Sequence, residues 1–164
     1  MNKEYLTSLD LIKSHFAKKG VISLQEFFEE LPEMSSFESL YQPADFRYGK
    51  ADVKLNQLTT DFLEHVTQRK LEEVNVFLFG HRCFDLRKFF EKEGVFFVIN
   101  ISDDESIEVG GDIFVVKKEE PLQLPPSTNT LTLIAVDKED ESFVTYVNHY
   151  IEDEHKTYIM GFLS

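Results

Sequence analysis

Val74-Asn75-Val76-Phe77-Leu78-Phe79 and Val95-Phe96-Phe97-Val98-Ile99 are the two stretches that decide the fold class. Both are short, rich in aromatic and β-branched residues and almost without polar alternation, which is typical of strands covered on both faces. The residues between them favour a helix over about 84–93. Strand, helix and strand in this order predict a crossover unit in which the two strands are parallel.

Further strands are predicted in the C-terminal part of the chain, at Asp112 to Lys117, Leu131 to Val136 and Tyr158 to Leu163. The Gly110-Gly111 pair predicts a turn or a bulge before the first of them. Three prolines make residues 119–130 an exposed connection. Apolar residues at helical spacing predict a second crossover helix over about 141–153.

The first 73 residues are predicted to be mainly helical. Tyr5, Leu9, Ile12 and Phe16 lie at spacings of one helix face, and Gly20 is a C-terminal stop signal, so a helix is predicted over 3–19. A short helix is predicted to end at Leu31 because proline follows it. The remaining predictions are a loop over 41–53 and a helix over about 55–73.

Together these patterns predict an α/β domain, with α+β as the alternative. Its mainly helical part spans residues 1–73, and a mixed sheet of about five strands with crossover helices spans residues 74–164. A chain of 164 residues is within the usual range of one compact domain. A single domain over 1–164 is therefore predicted.

The negative charge is concentrated in the C-terminal part of the chain. The net charge is −13, and residues 1–99 hold 16 acidic and 13 basic residues whereas residues 100–164 hold 14 and 4. Binding to duplex nucleic acid relies on Lys and Arg that displace counterions from the phosphates, so this composition argues against such a partner. It argues against anionic membranes for the same reason. An acidic field of this kind favours encounters with a basic protein.

Cys83 is the single cysteine, which leaves no internal disulfide and no multi-cysteine metal site. No apolar stretch reaches the roughly 18 residues of a membrane-spanning helix, and no apolar signal core follows the N-terminus. A cytoplasmic protein is therefore predicted. The five histidines are scattered and the paired glycines lack the spacing of nucleotide-binding loops, so neither a metal nor a cofactor is predicted.

The stretch Gly80-His81-Arg82-Cys83-Phe84-Asp85 has the features of a catalytic loop. It follows an apolar strand and precedes a predicted helix, which is where open α/β sheets bind ligands. A thiol at a helix start beside His81 or Arg82 would be an activated nucleophile, and Asp85 or Arg82 would position the substrate. A small α/β enzyme that uses His81, Arg82, Cys83 and Asp85 is therefore the alternative function. The structural interpretation is a partly buried Cys83 beside surface charges.

The leading interpretation is a non-enzymatic protein that binds and inhibits a basic partner. The length, the cytosolic character and the acidic clusters resemble those of bacterial toxin-immunity proteins, including those of contact-dependent inhibition systems. The resemblance implies that carboxylates cover the nucleic-acid-binding surface of a cognate toxin domain, such as a nuclease, and that aromatic side chains anchor the interface. An adaptor domain for another protein is a further alternative. The residues assigned to the interface are Asp103, Asp104, Glu105, Asp137, Glu139, Asp140, Glu141, Tyr146 and Tyr158.

Overall fold

A computed structural model describes residues 1–32, 38–41, 48–80, 89–102, 109–118, 120–148 and 155–164, with the backbone alone at 38–41 and 48. Within these residues the chain forms three helices, which are α1 (Glu4–Thr7), α2 (Leu9–Lys19) and α3 (Gln57–Thr67). It also forms ten strands, which are β1 (Val21–Leu24), β2 (Glu38–Tyr41), β3 (Tyr48–Asp52), β4 (Leu71–Gly80), β5 (Gly94–Asn100), β6 (Ile113–Lys117), β7 (Glu120–Gln123), β8 (Thr130–Val136), β9 (Glu141–Val144) and β10 (His155–Leu163).

The strands belong to two antiparallel sheets that pack face to face. The large sheet has seven strands in the order β1-β8-β5-β10-β4-β3-β2, and the small sheet has three in the order β7-β6-β9. Side chains from both sheets, among them Phe96, Ile134, Ile113 and Val144, form one hydrophobic cluster between the sheets. The described elements therefore form a β-sandwich, since the inner faces of both sheets supply its core.

Helices α2 and α3 cover the outer face of the large sheet. Phe16 of α2 and Phe62 of α3 are buried in a second cluster together with Ile159 from β10 and Phe97 from β5. Alternate residues of β5 and β10 therefore face the helices and the small sheet in turn, which explains why these strands are apolar on both faces. Residues 95–99 are an uninterrupted apolar run because both faces of β5 are covered.

The start of α3 is fixed by a side-chain cap. Asn56 has an extended backbone, and its Oδ1 accepts a hydrogen bond of 2.9 Å from the Thr59 N–H, one of the donors that a helix start leaves unpaired. The buried face of this helix carries Phe62, Leu63 and Val66. The cap therefore sets where this apolar face begins.

Replacing Asn56 by Ala should lower the free energy of unfolding by about 1 kcal/mol, because the Thr59 N–H loses its acceptor. For a chain of this size that corresponds to roughly 2–4 °C in the midpoint of thermal unfolding, measured by circular dichroism. Asn56→Asp retains an acceptor at the same place and is the control. Equal losses in the two variants would contradict the capping role.

The fold class is confirmed in its α+β form, and the structure is richer in strands than predicted. Ten described strands replace the five that were expected, and the first 73 residues contribute three of them. The predicted helix over 3–19 is confirmed as α1 and α2, and Gly20 ends α2 with a left-handed backbone, φ 71°. Residues 25–32 are not helical, and the helix predicted over 55–73 ends at Thr67.

The predicted crossover helices are the main errors. Residues 141–144 form β9, residues 145–148 have no regular structure, and residues 149–154 lie outside the description. Of the helix predicted over 84–93, residues 89–93 are not helical, and residues 84–88 lie outside the described residues. Strands β4 and β5 run in the same direction, but each pairs with β10, which lies antiparallel between them.

Within the connection predicted over 119–130, residues 120–123 form the exposed strand β7.

Candidate functional site

Lys156 is a fully buried cation on the central strand of the large sheet. Its side chain is 0 % exposed, and β10, which carries it, is bordered by β4 and β5. Tyr158, Met160 and Phe162 follow on the same face of the strand and belong to the cluster between the sheets. Lys156 therefore continues this inward-facing row, at the end of the strand where the row begins.

A turn of two glycines packs directly against Lys156. Gly110 and Gly111 have φ of 75° and 78°, a conformation that glycine adopts at little cost. A Cβ at Gly111 would lie 2.9 Å from Cγ of Lys156, and the Tyr158 hydroxyl donates a hydrogen bond of 3.1 Å to the Gly111 carbonyl. The glycines therefore let the backbone approach the lysine stem. The turn or bulge predicted at this pair stays a prediction, and the positive φ of both glycines is compatible with it.

Asp112 follows this turn and brings a carboxylate to the same region. Only 6 % of the residue is exposed, its N–H donates to Thr145 Oγ1 at 2.9 Å, and its carbonyl accepts from the Thr145 N–H at 2.9 Å. Burial raises the pKa of the Asp112 carboxyl above its ordinary value, and the positive charge of Lys156 opposes this with a smaller effect. Asp112 and Lys156 are therefore close enough to influence each other electrostatically.

We call this end of the sandwich the Lys156 end. Strand β4 ends here at Gly80, which pairs with His155, and β5 ends at Asn100, which pairs with Tyr158. Ser102 also lies here, since its hydroxyl accepts a hydrogen bond of 2.9 Å from the Thr157 N–H. Gly80, Ser102 and His155 each border a stretch outside the described residues.

Further from this end the space between the sheets is filled by aromatic side chains. The ring centroids of Phe79 and Tyr158 are 6.1 Å apart, and Phe89 stacks on Phe96 at 6.0 Å with 3° between the rings. A cavity of about 60 Å³ remains beside Phe96 and Met160. Because a drug-sized ligand needs several hundred cubic ångströms, this part of the sandwich holds core and not ligand.

The candidate catalytic loop and part of the acidic set cannot be placed. His81, Arg82, Cys83 and Asp85 lie outside the described residues, as do Asp103, Asp104 and Glu105. Their assigned roles therefore stay predictions.

The other acidic candidates line a surface cavity of about 530 Å³, and they are Asp137, Glu139, Asp140 and Glu141. Asp140 is only 4 % exposed, and its Oδ2 accepts from the Asp137 N–H at 3.0 Å and lies 3.7 Å from Lys117 Nζ. Lys117 and Asp112 flank opposite ends of β6, so this cavity is remote from Lys156. Of the two aromatic candidates, Tyr146 is 44 % exposed and Tyr158 only 3 %.

Sequence reasoning missed Lys156 and Asp112. The sequence predicts a strand that begins at Tyr158, which excludes Lys156, and it predicts Asp112 only as the first residue of another strand. A signal for the burial of Lys156 is nevertheless present in the sequence. Every second residue of a strand lies on the same face, and Lys156 shares its face with the apolar residues Tyr158, Met160 and Phe162, which places it in the core.

Neither a metal-binding group nor a membrane-spanning helix is found in the part of the chain that the structure describes. There, no three His, Cys, Asp or Glu side chains are grouped closely enough to hold a metal ion. None of the helices there is long and apolar enough to cross a membrane.

No protein-family model matches the sequence, and no curated protein matches it. Solved structures do match in fold. A prolyl-4-hydroxylase from Pseudomonas putida aligns with a TM-score of 0.61 and 10% identity over 95% of this chain and 98% of its own. A 2OG-Fe(II) oxygenase family oxidoreductase from Burkholderia pseudomallei gives 0.61 and 12% over 95% and 89%. A Trichoplax adhaerens prolyl hydroxylase in complex with a peptide fragment of the hypoxia-inducible-factor oxygen degradation domain gives 0.62 and 9% over 98% and 90%.

These comparisons correct the functional interpretation. The prediction of a toxin-immunity protein is wrong, because the structures that share this fold are hydroxylases and oxygenases. The prediction of a non-enzymatic protein is wrong for the same reason, and the basic toxin partner is not supported. The physical reason is that an acidic surface reports on solubility and encounter rates and does not distinguish an inhibitor from an enzyme. At this level of identity the similarity shows that the chain has the fold of prolyl hydroxylases and 2OG-Fe(II) oxygenases.

Proposed function

We propose that this protein is an enzyme of the oxidoreductase class that binds 2-oxoglutarate at the Lys156 end of its sandwich. The observation that carries the proposal is the fully buried ammonium of Lys156 beside Asp112. The names of its structural neighbours supply the compound class, since one is a 2OG-Fe(II) oxygenase. 2-Oxoglutarate has two carboxylates, and one of them would bind the ammonium.

Burial of a charge supports this assignment. An ionised lysine is costly to remove from water unless an opposite charge compensates it, and a buried ion pair is by itself weak evidence for stability. The charge of Lys156 acts on the buried Asp112 carboxyl and lowers its pKa, although burial raises that pKa by more. A ligand carboxylate would supply a full negative charge there, in surroundings of low dielectric constant where the attraction is strong.

The chain's own residues suffice for binding and orientation. Lys156 would attract one carboxylate, and the glycine turn fixes the stem of that lysine from the side. Tyr158 holds the turn through the Gly111 carbonyl, and Phe79 packs against its ring. These rings fill the space on one side of Lys156, so the ligand would extend away from them, at the Lys156 end of the sandwich.

Fe(II) in oxygenases of this kind is bound by two histidines and one carboxylate. The described residues do not fit such a site: no group of three donors is present among them, and His15, His65 and His155 have exposed side chains. Asp112 is the carboxylate that they place beside Lys156. The predicted catalytic loop remains part of this proposal, because Gly80, which precedes it, lies at the Lys156 end.

Titration calorimetry of the purified chain with 2-oxoglutarate tests the binding. Glutarate has the same length without the oxo group and should also bind, because the carboxylate is recognised by Lys156. Butyrate has one carboxylate and should bind more weakly. Oxygen uptake in the presence of Fe(II) and 2-oxoglutarate tests the oxidoreductase class. No binding at millimolar 2-oxoglutarate would refute the proposal, and binding without oxygen uptake would reduce it to a binding site.

A further inference from the structure

Strand β1 is an edge of the large sheet, and among the described strands it pairs with β8 alone. The Ala135 N–H donates a hydrogen bond of 2.7 Å to the carbonyl of Gly20, so these two residues form a hydrogen-bonded pair of the antiparallel ladder. Hydrogen-bonded and non-hydrogen-bonded pairs alternate along such a ladder, and the Ser23 and Thr132 hydroxyls, 3.1 Å apart, belong to a close pair of the second kind. The backbone N–H and C=O groups of Val21 and Ser23 therefore face away from β8.

Strand β1 lacks the residues by which proteins prevent an edge strand from pairing with another chain. Edge strands usually carry charged residues or prolines for this purpose. The other three edges of the two described sheets follow this rule, with Glu38 in β2, Pro121 in β7 and Glu141 in β9. Strand β1 has the sequence Val21-Ile22-Ser23-Leu24, without a charge or a proline. Among the described strands it is therefore the edge that is open to the addition of a further strand.

An apolar groove lies beside this edge, between β1 and α2. It has a volume of about 320 Å³ and is lined by Leu11, Ile12, His15, Ile22, Ser23 and Leu24. Leu11 is 72 % exposed, the largest value among the exposed large hydrophobic side chains of the described residues. An extended chain in the groove would bond to the backbone of β1 on one side and place every second side chain against apolar residues. It would also cover Leu11.

The charge around the groove indicates the chemistry of its occupant. The whole chain has a net charge of −13, but residues 11–24 contain three lysines and no Asp or Glu. Leu11, His15 and Lys19 follow each other at i, i+4 and i+8, so Lys19 continues the row of α2 that borders the groove. Lys18 and Lys19 are exposed, and neither forms an ion pair with another described residue. An acidic segment is complementary to this edge, whereas a second copy would bring two identical lysine-bearing edges together.

We propose that the groove between β1 and α2 is a docking site for an extended acidic segment of another protein. The segment adds to the large sheet as a strand antiparallel to β1, since all described pairs of this sheet are antiparallel. In this orientation the C-terminal part of the segment lies beside Lys19, so its acidic residues belong there. Strands β8 and β5 separate β1 from β10, and the groove lies on the helix-covered face of the sheet. The inference is therefore independent of the proposed function at Lys156.

Fluorescence anisotropy with two labelled peptides tests this site. Each peptide has about eight residues, enough to span β1, with alternating valine and threonine followed by a C-terminal run of glutamates or, in the control peptide, of lysines. We expect the glutamate peptide to bind at least about tenfold more tightly at low salt, and added salt to reduce the difference. Amide hydrogen exchange measured by NMR should show that the bound peptide protects the N–H groups of Val21 and Ser23.

Three variants locate the contacts. Lys19→Glu should reverse the preference, so that the lysine peptide binds more tightly, which is a gain that a misfolded protein would not show. Lys54→Glu is the matched control, because Lys54 is also exposed but lies in the connection before α3, and it should retain the preference of the natural chain. Ser23→Pro removes an outward N–H and should weaken the binding of the glutamate peptide at least about tenfold.

The results that would overturn the inference are distinct. Absence of binding by both peptides at millimolar concentration would do so, as would equal affinities for the two peptides or binding without protection of the Val21 and Ser23 N–H groups. A dimer in analytical ultracentrifugation that Ser23→Pro separates would assign the edge to a second copy, which also contradicts the proposal. None of these results bears on the binding of 2-oxoglutarate.

Discussion

Replacing Lys156 by Met is expected to weaken 2-oxoglutarate binding by at least about thirtyfold. Methionine keeps the length of the side chain but removes the ammonium, and the loss of one partner from a buried charge pair costs about 2–5 kcal/mol of binding free energy. The side chain is fully buried, so solvent screens its charge little and the loss of that charge has its full effect. Titration calorimetry of the two proteins gives the ratio of the dissociation constants directly.

Two further proteins make this result interpretable. Lys117 lies at the other end of β6, where its Nζ donates a hydrogen bond to the Ala135 carbonyl. The Lys117→Met variant should therefore bind the ligand normally. Lys156→Met leaves the Asp112 carboxylate buried without a nearby positive charge, which can lower the stability of the protein. The double variant with Asp112→Asn removes both charges, so it separates a loss of stability from a loss of ligand binding. Normal binding by a folded Lys156→Met protein would show that the ligand does not use this ammonium.

Replacing Gly110 by Ala should destabilise the protein by at least about 3 kcal/mol. Its backbone has φ 75°, and an added Cβ would lie 2.0 Å from the Tyr146 carbonyl oxygen. That oxygen belongs to the backbone, so no rotation of a side chain relieves the contact. The expected loss is roughly 6–12 °C in the midpoint of thermal unfolding, measured by calorimetry.

Gly20 provides the matched control for this prediction. It has a similar φ of 71°, but an added Cβ would meet nothing closer than Cβ of Ala135 at 3.7 Å. Gly20→Ala should therefore cost only the backbone strain, about 1 kcal/mol. If the two variants lost the same stability, the close contact at Gly110 would have no energetic role.

The parts of the fold that could be predicted are those set by local pattern. Residues 74–79 and 95–99 lie within β4 and β5, and α2 ends at Gly20 as its sequence indicates. The direction of neighbouring strands is not a local property. An apolar run is compatible with a parallel or an antiparallel neighbour, and the strand that lies between these two comes from the far end of the sequence.

The helix predicted over 141–153 shows how a spacing misleads. Phe143, Val144 and Val147 fit one helical face, but in the structure Val144 faces the space between the sheets and Phe143 stacks on Phe114 at 5.0 Å on the opposite face of the small sheet. Pairing with β6 decides between the two periodicities, and a single sequence does not contain that information.

The candidate site was less accessible to sequence reasoning than the fold. Lys156 and Asp112 are 44 residues apart in number, and they come within electrostatic reach of each other because Gly111, directly before Asp112, packs against Lys156. Neither belongs to a recognisable motif. The charge pattern, in contrast, is visible at once but describes the exterior, which is why it favoured an inhibitor over an enzyme.

The central position of β10 has a consequence for biosynthesis. This strand follows the other nine described strands in the chain, yet it is the neighbour of both β4 and β5. While the ribosome is still translating residues 155–163, the polypeptide already emerged exposes two unpaired apolar strand edges, which invite association with other nascent chains. The sheet closes only when residues 155–163 have left the exit tunnel, so the pairing of β4 and β5 with β10 follows the synthesis of that strand.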